Sequence, residues 1–215
     1  VGKREEKATA TREAIFRAAA IIVGRHGYAK ASIARIAEEA GVSHGLIYQY
    51  FRDQQDLFDR LLPHVGEEML RHIAQRAGRS ETVEERERLG LEANFEYLID
   101  HPELHRILNE AAFFAPQAHR NYLKRMAEGY KRSLEKGHAT GQIEAYAPEE
   151  FQTLALMFIG AREYLLEHYA VEGHSIKKLP VEVERTYLKA VALAMGVDPT
   201  RMMPQQEAGD ETCSG

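Results

Sequence analysis

The sequence predicts an all-α protein of about nine helices. Apolar residues recur three and four positions apart along most of the chain, no segment alternates apolar and polar residues as a half-buried strand does, and Gly, Pro, Ser, Thr and Asp fall where helices start and stop.

The first helix is predicted from about Ala8 to His26, with Ile15, Ala18, Ala19 and Ile22 on one face and Gly27 as its stop. Ser32 reads as the N-cap of a short helix ending near Gly41, and Ser43 as the cap of another running to about Phe51. Asp53 caps a fourth helix carrying Leu57, Phe58, Leu61 and Leu62, which Pro63 should kink and which continues to about Gly78. Ser80 and Thr82 open a fifth, with Leu91, Phe95, Leu98 and Ile99 on its stripe. Pro102, Pro116 and Pro148 read as first residues of the sixth, seventh and eighth. A turn-rich link through Gly173 to Pro180 leads to a ninth helix over about Val181 to Met195, and the chain beyond Pro199 reads as a disordered tail.

With 215 residues, 44% of them hydrophobic and 28% charged, the chain is long enough for a sizeable core and carries no signature of disorder or fibrous repeat. The lone cysteine, Cys213, excludes an intrachain disulfide and suggests a reducing compartment. No apolar run approaches the roughly 20 residues a membrane span needs, and Val1 to Lys7 is charged rather than signal-like, so a cytoplasmic protein with no membrane partner is expected. The net charge of −5 is unevenly placed. Residues 1 to 52 hold nine Lys/Arg against five acids, a balance of +4, and the rest holds 19 against 28, a balance of −9. One end is thereby suited to meet a polyanion.

The segment from Ser32 to Phe51 is the most informative. Two short helices flank Ala40, Gly41, Val42 and Ser43, where glycine can take the positive φ of a tight turn. Small Ala37 lets the helices approach, and Ile33, Ile36, Val42 and Ile47 form the plug between them. The second helix then exposes His44, Gly45, Tyr48, Gln49 and Tyr50, a hydrogen-bonding face that suits the major groove of a duplex.

These residues resemble the tetracycline-repressor (TetR) family of transcriptional regulators. The resemblance runs over about residues 10 to 60, through His26-Gly27-Tyr28, Ala31-Ser32-Ile33, Ile36-Ala37, Ala40-Gly41-Val42-Ser43, Gly45, Ile47-Tyr48, Tyr50-Phe51 and Asp56-Leu57-Phe58. It implies that Ser32, Tyr48 and Tyr50 touch phosphates and that Ser43, His44 and Gln49 lie nearest the bases, beside Gly45. The family usually has Lys where this chain has Gln54, a departure for which the neighbouring Arg52 offers a charge. The implied organisation is a helix-turn-helix DNA-binding domain at 8–60, a ligand-binding and dimerisation domain at 61–198, and the tail at 199–215.

A single reading head covers too few bases for selectivity, so a homodimer on two half-sites is expected. The eighth and ninth helices are the candidates for the interface. Gly160 and Ala161 permit close approach, Phe151, Leu154 and Leu165 flank them, and Tyr187, Leu188 and Val191 stripe the ninth; the family resemblance implies a four-helix interface from this pair, whereas lining of each monomer's own core is the competing reading. The middle helices carry more aromatic and polar residues than a plain core needs. Phe95, Phe113, Phe114, Tyr122, Met126, Tyr130 and Phe158 are candidates to line a pocket, with Asn109, Glu110, His119 and Arg162 as polar anchors. Arg162 lies on an apolar stripe and needs a partner, either a ligand anion or an acid such as Glu110 or Glu163.

The expected function is a ligand-responsive transcriptional regulator, a repressor that binds a pseudo-palindromic operator and is released by a small apolar or amphipathic effector. A fatty acid or acyl thioester comes first and an aromatic compound next. A DNA-binding regulator with no effector is the alternative, and no cofactor or metal is expected. An enzyme is disfavoured because the sequence has no His-Glu-x-x-His, cysteine cluster, phosphate-cradling glycine loop or nucleophile elbow. Its acidic two-thirds suit a sequence-indifferent DNA-packaging protein poorly.

Overall fold

In the computed structural model, residues 2–202 are described, so Cys213 and most of the segment read as a tail lie outside the described residues. Among the described residues there are nine α-helices, three short 3-10 turns and one two-stranded hairpin. Helices α1 (Lys3–His26), α2 (Ile33–Ala40) and α3 (His44–Ile47) form a small head. Helices α4 (Gln54–Ala77), α5 (Val83–Asp100), α6 (Glu103–Phe114), α7 (Pro116–Ala139), α8 (Phe151–Tyr169) and α9 (Val181–Met195) form the body. None of these helices is long and apolar enough to cross a membrane.

Local chemistry accounts for most boundaries. Ser32, Asp53 and Thr82 each accept a backbone N–H of the following turn, as N-caps do. Helix α1 starts five residues before the predicted Ala8, because Glu5 and Glu6 sit in its first turn and favour the positive end of the helix dipole. Helix α3 is shorter than its sequence suggests, since the chain tightens at Tyr48 to Tyr50, where the Tyr50 and Phe51 N–H groups both donate to the Ile47 carbonyl, at 2.9 and 3.0 Å. Pro102 precedes α6 instead of opening it, and Pro148 opens a 3-10 turn ahead of α8. The turn-rich link contains strands β1 (Val171–Glu172) and β2 (Ser175–Ile176), paired antiparallel around Gly173. Residues 199–202, read as tail, are packed: Pro199–Arg201 form a turn against α9 and α5, and Met202 is fully buried.

In the body, α4 lies against α5, α6 and α7, while α8 packs on α7. Pro63 lies inside one continuous α4, exposed, where its missing N–H forfeits the bond to the Asp59 carbonyl. Gly66 on α4 meets the ring of Tyr122 so closely that a side chain at 66 would displace it.

Two joints hold the head. At the first, Arg106 and Glu110, one turn apart on α6, pair at 2.6 Å. The Arg106 guanidinium donates to the carbonyls of Gly24 and Arg25 at the end of α1, and Glu110 accepts the Tyr28 backbone N–H at 2.8 Å. Gly27 bends the chain there with φ 78°, and a side chain at that position would run into both α6 residues. At the second joint, Asp56 is buried at the start of α4. It accepts from the Arg52 backbone N–H at 3.0 Å and from Arg60 Nε at 3.0 Å, while Asp53 accepts the Asp56 N–H at 2.8 Å. Burial opposes the charge, yet the Arg52 N–H and the Arg60 guanidinium outweigh it and hold the carboxyl below its usual value.

That depressed value fixes the sign of a pH effect. The Asp56 contribution is complete above the unfolded carboxyl value of about 3.9 and is lost as pH falls through the lower folded value. Asp56→Asn should cost about 1–2 kcal/mol at neutral pH, discounted for its exposed arginine partners, and less in acid. Denaturant titrations at two pH values check this, and equal losses at both would remove the ionic account.

Candidate functional site

The outward face of the head is assembled from local constraints. Gly41 ends α2 with φ 65°, its N–H bonded back to Ala37 and Glu38, and the Val42 N–H follows to Ala37 at 3.0 Å. Ile33, Ile36, Ala37 and Ile47 are buried between α1, α2 and α3. That packing leaves Ser32, Ser43, His44, Gly45, Tyr48, Gln49, Arg52 and Gln54 exposed and Tyr50 half-buried. Tyr48 is 53% exposed and meets His44 edge-on, with ring centroids 6.4 Å apart. Nothing lies within 4 Å of where a side chain at Gly45 would begin, so the protein's own packing does not demand glycine there. Ser43 makes no capping bond, which leaves its hydroxyl free at the start of α3. Arg52 is partly engaged, 3.4 Å from Asp56.

Inside the body, α4, α5, α6, α7 and α8 enclose a cavity of about 520 Å³, within the usual range of small-molecule pockets. Its wall is apolar along Met69, Leu70, Ile73, Leu98, Leu104, Leu108, Met126 and Leu166. The exposed lining residues Arg71, Arg125, Arg132 and Lys136 place its mouth along the seam of α4 and α7, where Glu67 pairs with Arg125 at 2.6 Å. Deeper in, Glu87 is buried and receives Arg162 at 3.0 Å and the Tyr130 hydroxyl. The Arg162 guanidinium also donates to the Tyr187 hydroxyl at 2.8 Å and lies over the Tyr130 and Tyr187 rings. Burial pushes the Glu87 carboxyl up, against the pull of Arg162. Arg86 donates to the Ser80 and Ser133 carbonyls, while its Nε is buried without a partner. His105 faces Glu163 at 3.4 Å and Glu167 at 3.1 Å; burial disfavours its charge, but the two carboxylates prevail and raise its pKa.

Of the predicted pocket residues, Met126, Tyr130 and Arg162 line this cavity. The others do not. Phe95 and Phe158 are core residues, and Tyr122 is spent on the contact with Gly66, its hydroxyl 3.5 Å from the Gly66 carbonyl. On α6 the buried stripe of Leu104, Ile107 and Ala111 turns Phe113 outward, leaving it 86% exposed, and Phe114 stacks on Tyr28 instead. Asn109 is exposed and bonded to His105, His119 is half-buried outside the cavity, and Glu110 belongs to the clasp on α1. The partner of Arg162 is Glu87, not Glu110 or Glu163. Glu87 was legible as an acid on the stripe of Val83, Gly90 and Leu91, where a charge must be paired.

The predicted interface residues divide in the same way. Phe151, Leu154, Tyr187, Leu188 and Val191 are buried in the monomer and Leu165 is half-buried, because the stripe they form faces α5 and α7. Gly160 and Ala161 lie on the opposite side of α8, beside Met157 at 60% and Tyr164 at 80% exposure, and Leu193 is exposed on α9.

Residues 15–61 match the family model of bacterial regulatory proteins, tetR family. The chain is 40% identical over 67 residues to the HTH-type transcriptional regulator BetI of Yersinia pestis, an alignment covering 29% of this chain and 34% of that protein. It thus spans about a third of the length of the curated relatives it matches. Among solved structures, the transcriptional regulator FadR of Bacillus subtilis, in complex with stearoyl-CoA, has a TM-score of 0.66 at 18% identity, over 85% of this chain and 97% of that one. The TetR-family regulator PfmR of Thermus thermophilus has a TM-score of 0.62 at 13% identity, over 85% and 97%. The N-terminal segment at residues 15–61 is thus similar to the tetR family of bacterial regulatory proteins, and the helical fold of the chain is similar to that of these solved regulators.

Proposed function

We propose that this protein is a cytoplasmic transcriptional repressor that binds a pseudo-palindromic operator as a homodimer and releases it when an amphipathic acyl compound enters the body. The observation that carries the reading is the pairing of an outward, largely exposed helix-turn-helix face with an apolar cavity whose wall includes α6, the helix clasping α1. Ser32, Tyr48 and Tyr50 then serve phosphates, while Ser43, His44 and Gln49 read base edges. Residues 8–60 form the DNA-binding unit and 61–198 the effector and dimer unit.

The effector class follows from the cavity. An acyl chain suits the apolar wall, and Arg71, Arg125, Arg132 and Lys136 at the mouth suit an anionic head group that stays outside. The B. subtilis neighbour bound to stearoyl-CoA supports a fatty acyl thioester above a free aromatic compound. For the dimer, the exposed apolar stripe of Met157, Ala161 and Tyr164 on α8 with Leu193 on α9 is the surface a partner copy would cover, in a four-helix arrangement.

Coupling runs through α6. Leu104, His105 and Leu108 face the cavity, and Arg106 and Glu110 on the same helix hold the end of α1. A ligand that displaces α6 changes the position of the head and so favours one head separation over another.

Tyr48→Phe should weaken binding by about 1 kcal/mol, roughly fivefold, to selected and unselected duplexes alike, as measured by fluorescence anisotropy. A loss confined to one sequence would show that Tyr48 reads a base. Long-chain acyl-CoA should release the wild-type protein from its selected operator, and Glu110→Gln should keep acyl-CoA affinity while reducing that release; full release by the variant would remove the clasp from the mechanism. Tyr164→Glu should shift the protein from dimer to monomer in analytical ultracentrifugation, and an unchanged dimer would place the interface elsewhere.

A further inference from the structure

A second, smaller cavity of about 300 Å³ opens at the seam between the head and the body, lined by residues of α1, α4, α5 and α6. Glu13 of α1 meets His64 and Glu68 of α4 there. His64 and Glu68 are one turn apart and share a face of the helix, whereas Glu13 arrives from the other side of the seam. One ligand atom from each of the three lies within 4.8 Å of the other two, and His64 Nε2 is 3.0 Å from Glu13 Oε2. Two donor atoms that share a cation at about 2.0–2.2 Å stand roughly 3 to 3.5 Å apart, so this pair is already spaced as ligands are.

The surroundings favour a cation over a simple ion pair. The His64 ring stacks on Phe16, with centroids 4.1 Å apart and planes within 16°, a packing that holds the ring with Nε2 facing Glu13. Glu13 meets the imidazole at 3.0 Å, and a carboxylate oxygen of Glu68 lies within 4.8 Å of both. Glu68 meets only Arg71 at 3.9 Å and the Tyr97 hydroxyl at 3.5 Å, and Arg17, the cation that lines the same cavity, makes no ion pair with Glu13 or Glu68. Glu68 is exposed, so a cation can enter from solvent, and the open cavity leaves room for water in the remaining coordination positions. Mixed imidazole and carboxylate donors suit first-row divalent cations such as Zn²⁺ or Mn²⁺.

We propose that Glu13, His64 and Glu68 form a binding site for a first-row divalent cation that staples α1 of the head to α4 of the body. The site is separate from the acyl cavity, and the ion joins the helix that carries the reading head to a helix that walls that cavity.

The test uses full-length, tag-free protein stripped with chelator, titrated with ZnCl₂ and separately MnCl₂ by calorimetry and followed by thermal unfolding. One equivalent of at least one cation should bind per chain and raise the melting temperature. Glu13→Gln and Glu68→Gln should each weaken that binding about tenfold or more and abolish the thermal shift. Glu103→Gln, in the same cavity but outside the trio, should change neither. Should Glu13→Gln fail to fold, the exposed Glu68→Gln carries the test alone. No stoichiometric uptake of either cation, or uptake undiminished in the Gln variants because other histidines hold the ion, would overturn the proposal.

Discussion

The placement of the head depends on the grip of α6 on the end of α1. As an exposed i,i+4 ion pair, Arg106 and Glu110 would contribute only about 0.3–0.5 kcal/mol. Here the two side chains also satisfy the Gly24 and Arg25 carbonyls and the Tyr28 N–H, and leaving a buried backbone group unpaired costs about 1–3 kcal/mol. The pair therefore matters through the backbone groups it completes. Since the clasp closes over Gly27, the joint has little slack, which is what the proposed coupling through α6 requires.

The charges of the cavity have two separate tasks. Glu87, Arg162, Tyr130 and Tyr187 come from four helices and satisfy one another. Removing one partner from such a buried set costs about 3–5 kcal/mol, which makes the cluster part of the body's framework and explains why Arg162 has little capacity left for a ligand anion. The cations at the mouth, Arg71, Arg125, Arg132 and Lys136, are exposed instead. They can meet an anionic head group without a large desolvation penalty, and the apolar wall behind them suits the acyl chain of the proposed effector.

Helices α8 and α9 show where periodicity stops being informative. Each carries apolar residues around more than one side, and spacing alone cannot say which side meets its own body. Phe151, Leu154, Tyr187, Leu188 and Val191 turned inward, while Met157, Ala161, Tyr164 and Leu193 were left outside. The aromatic residues of the middle helices divided the same way, with Tyr130 on the cavity and Phe113 in solvent.

The amino-acid sequence by itself determined most helix boundaries and the outward helix-turn-helix face, because these arise from residues a few positions apart: a capping hydroxyl at Ser32, a left-handed glycine at 41, and an apolar plug from Ile33 to Ile47 that turns His44, Tyr48 and Gln49 outward. Tertiary structure alone decided the partner of Arg162, 75 residues away at Glu87, the hold of Glu110 on Tyr28 across 82 residues, and the meeting of Glu13 with His64. Those pairings depend on how each helix is rotated about its axis. That rotation is set by packing against neighbours distant in the chain, for which local spacing carries no signal.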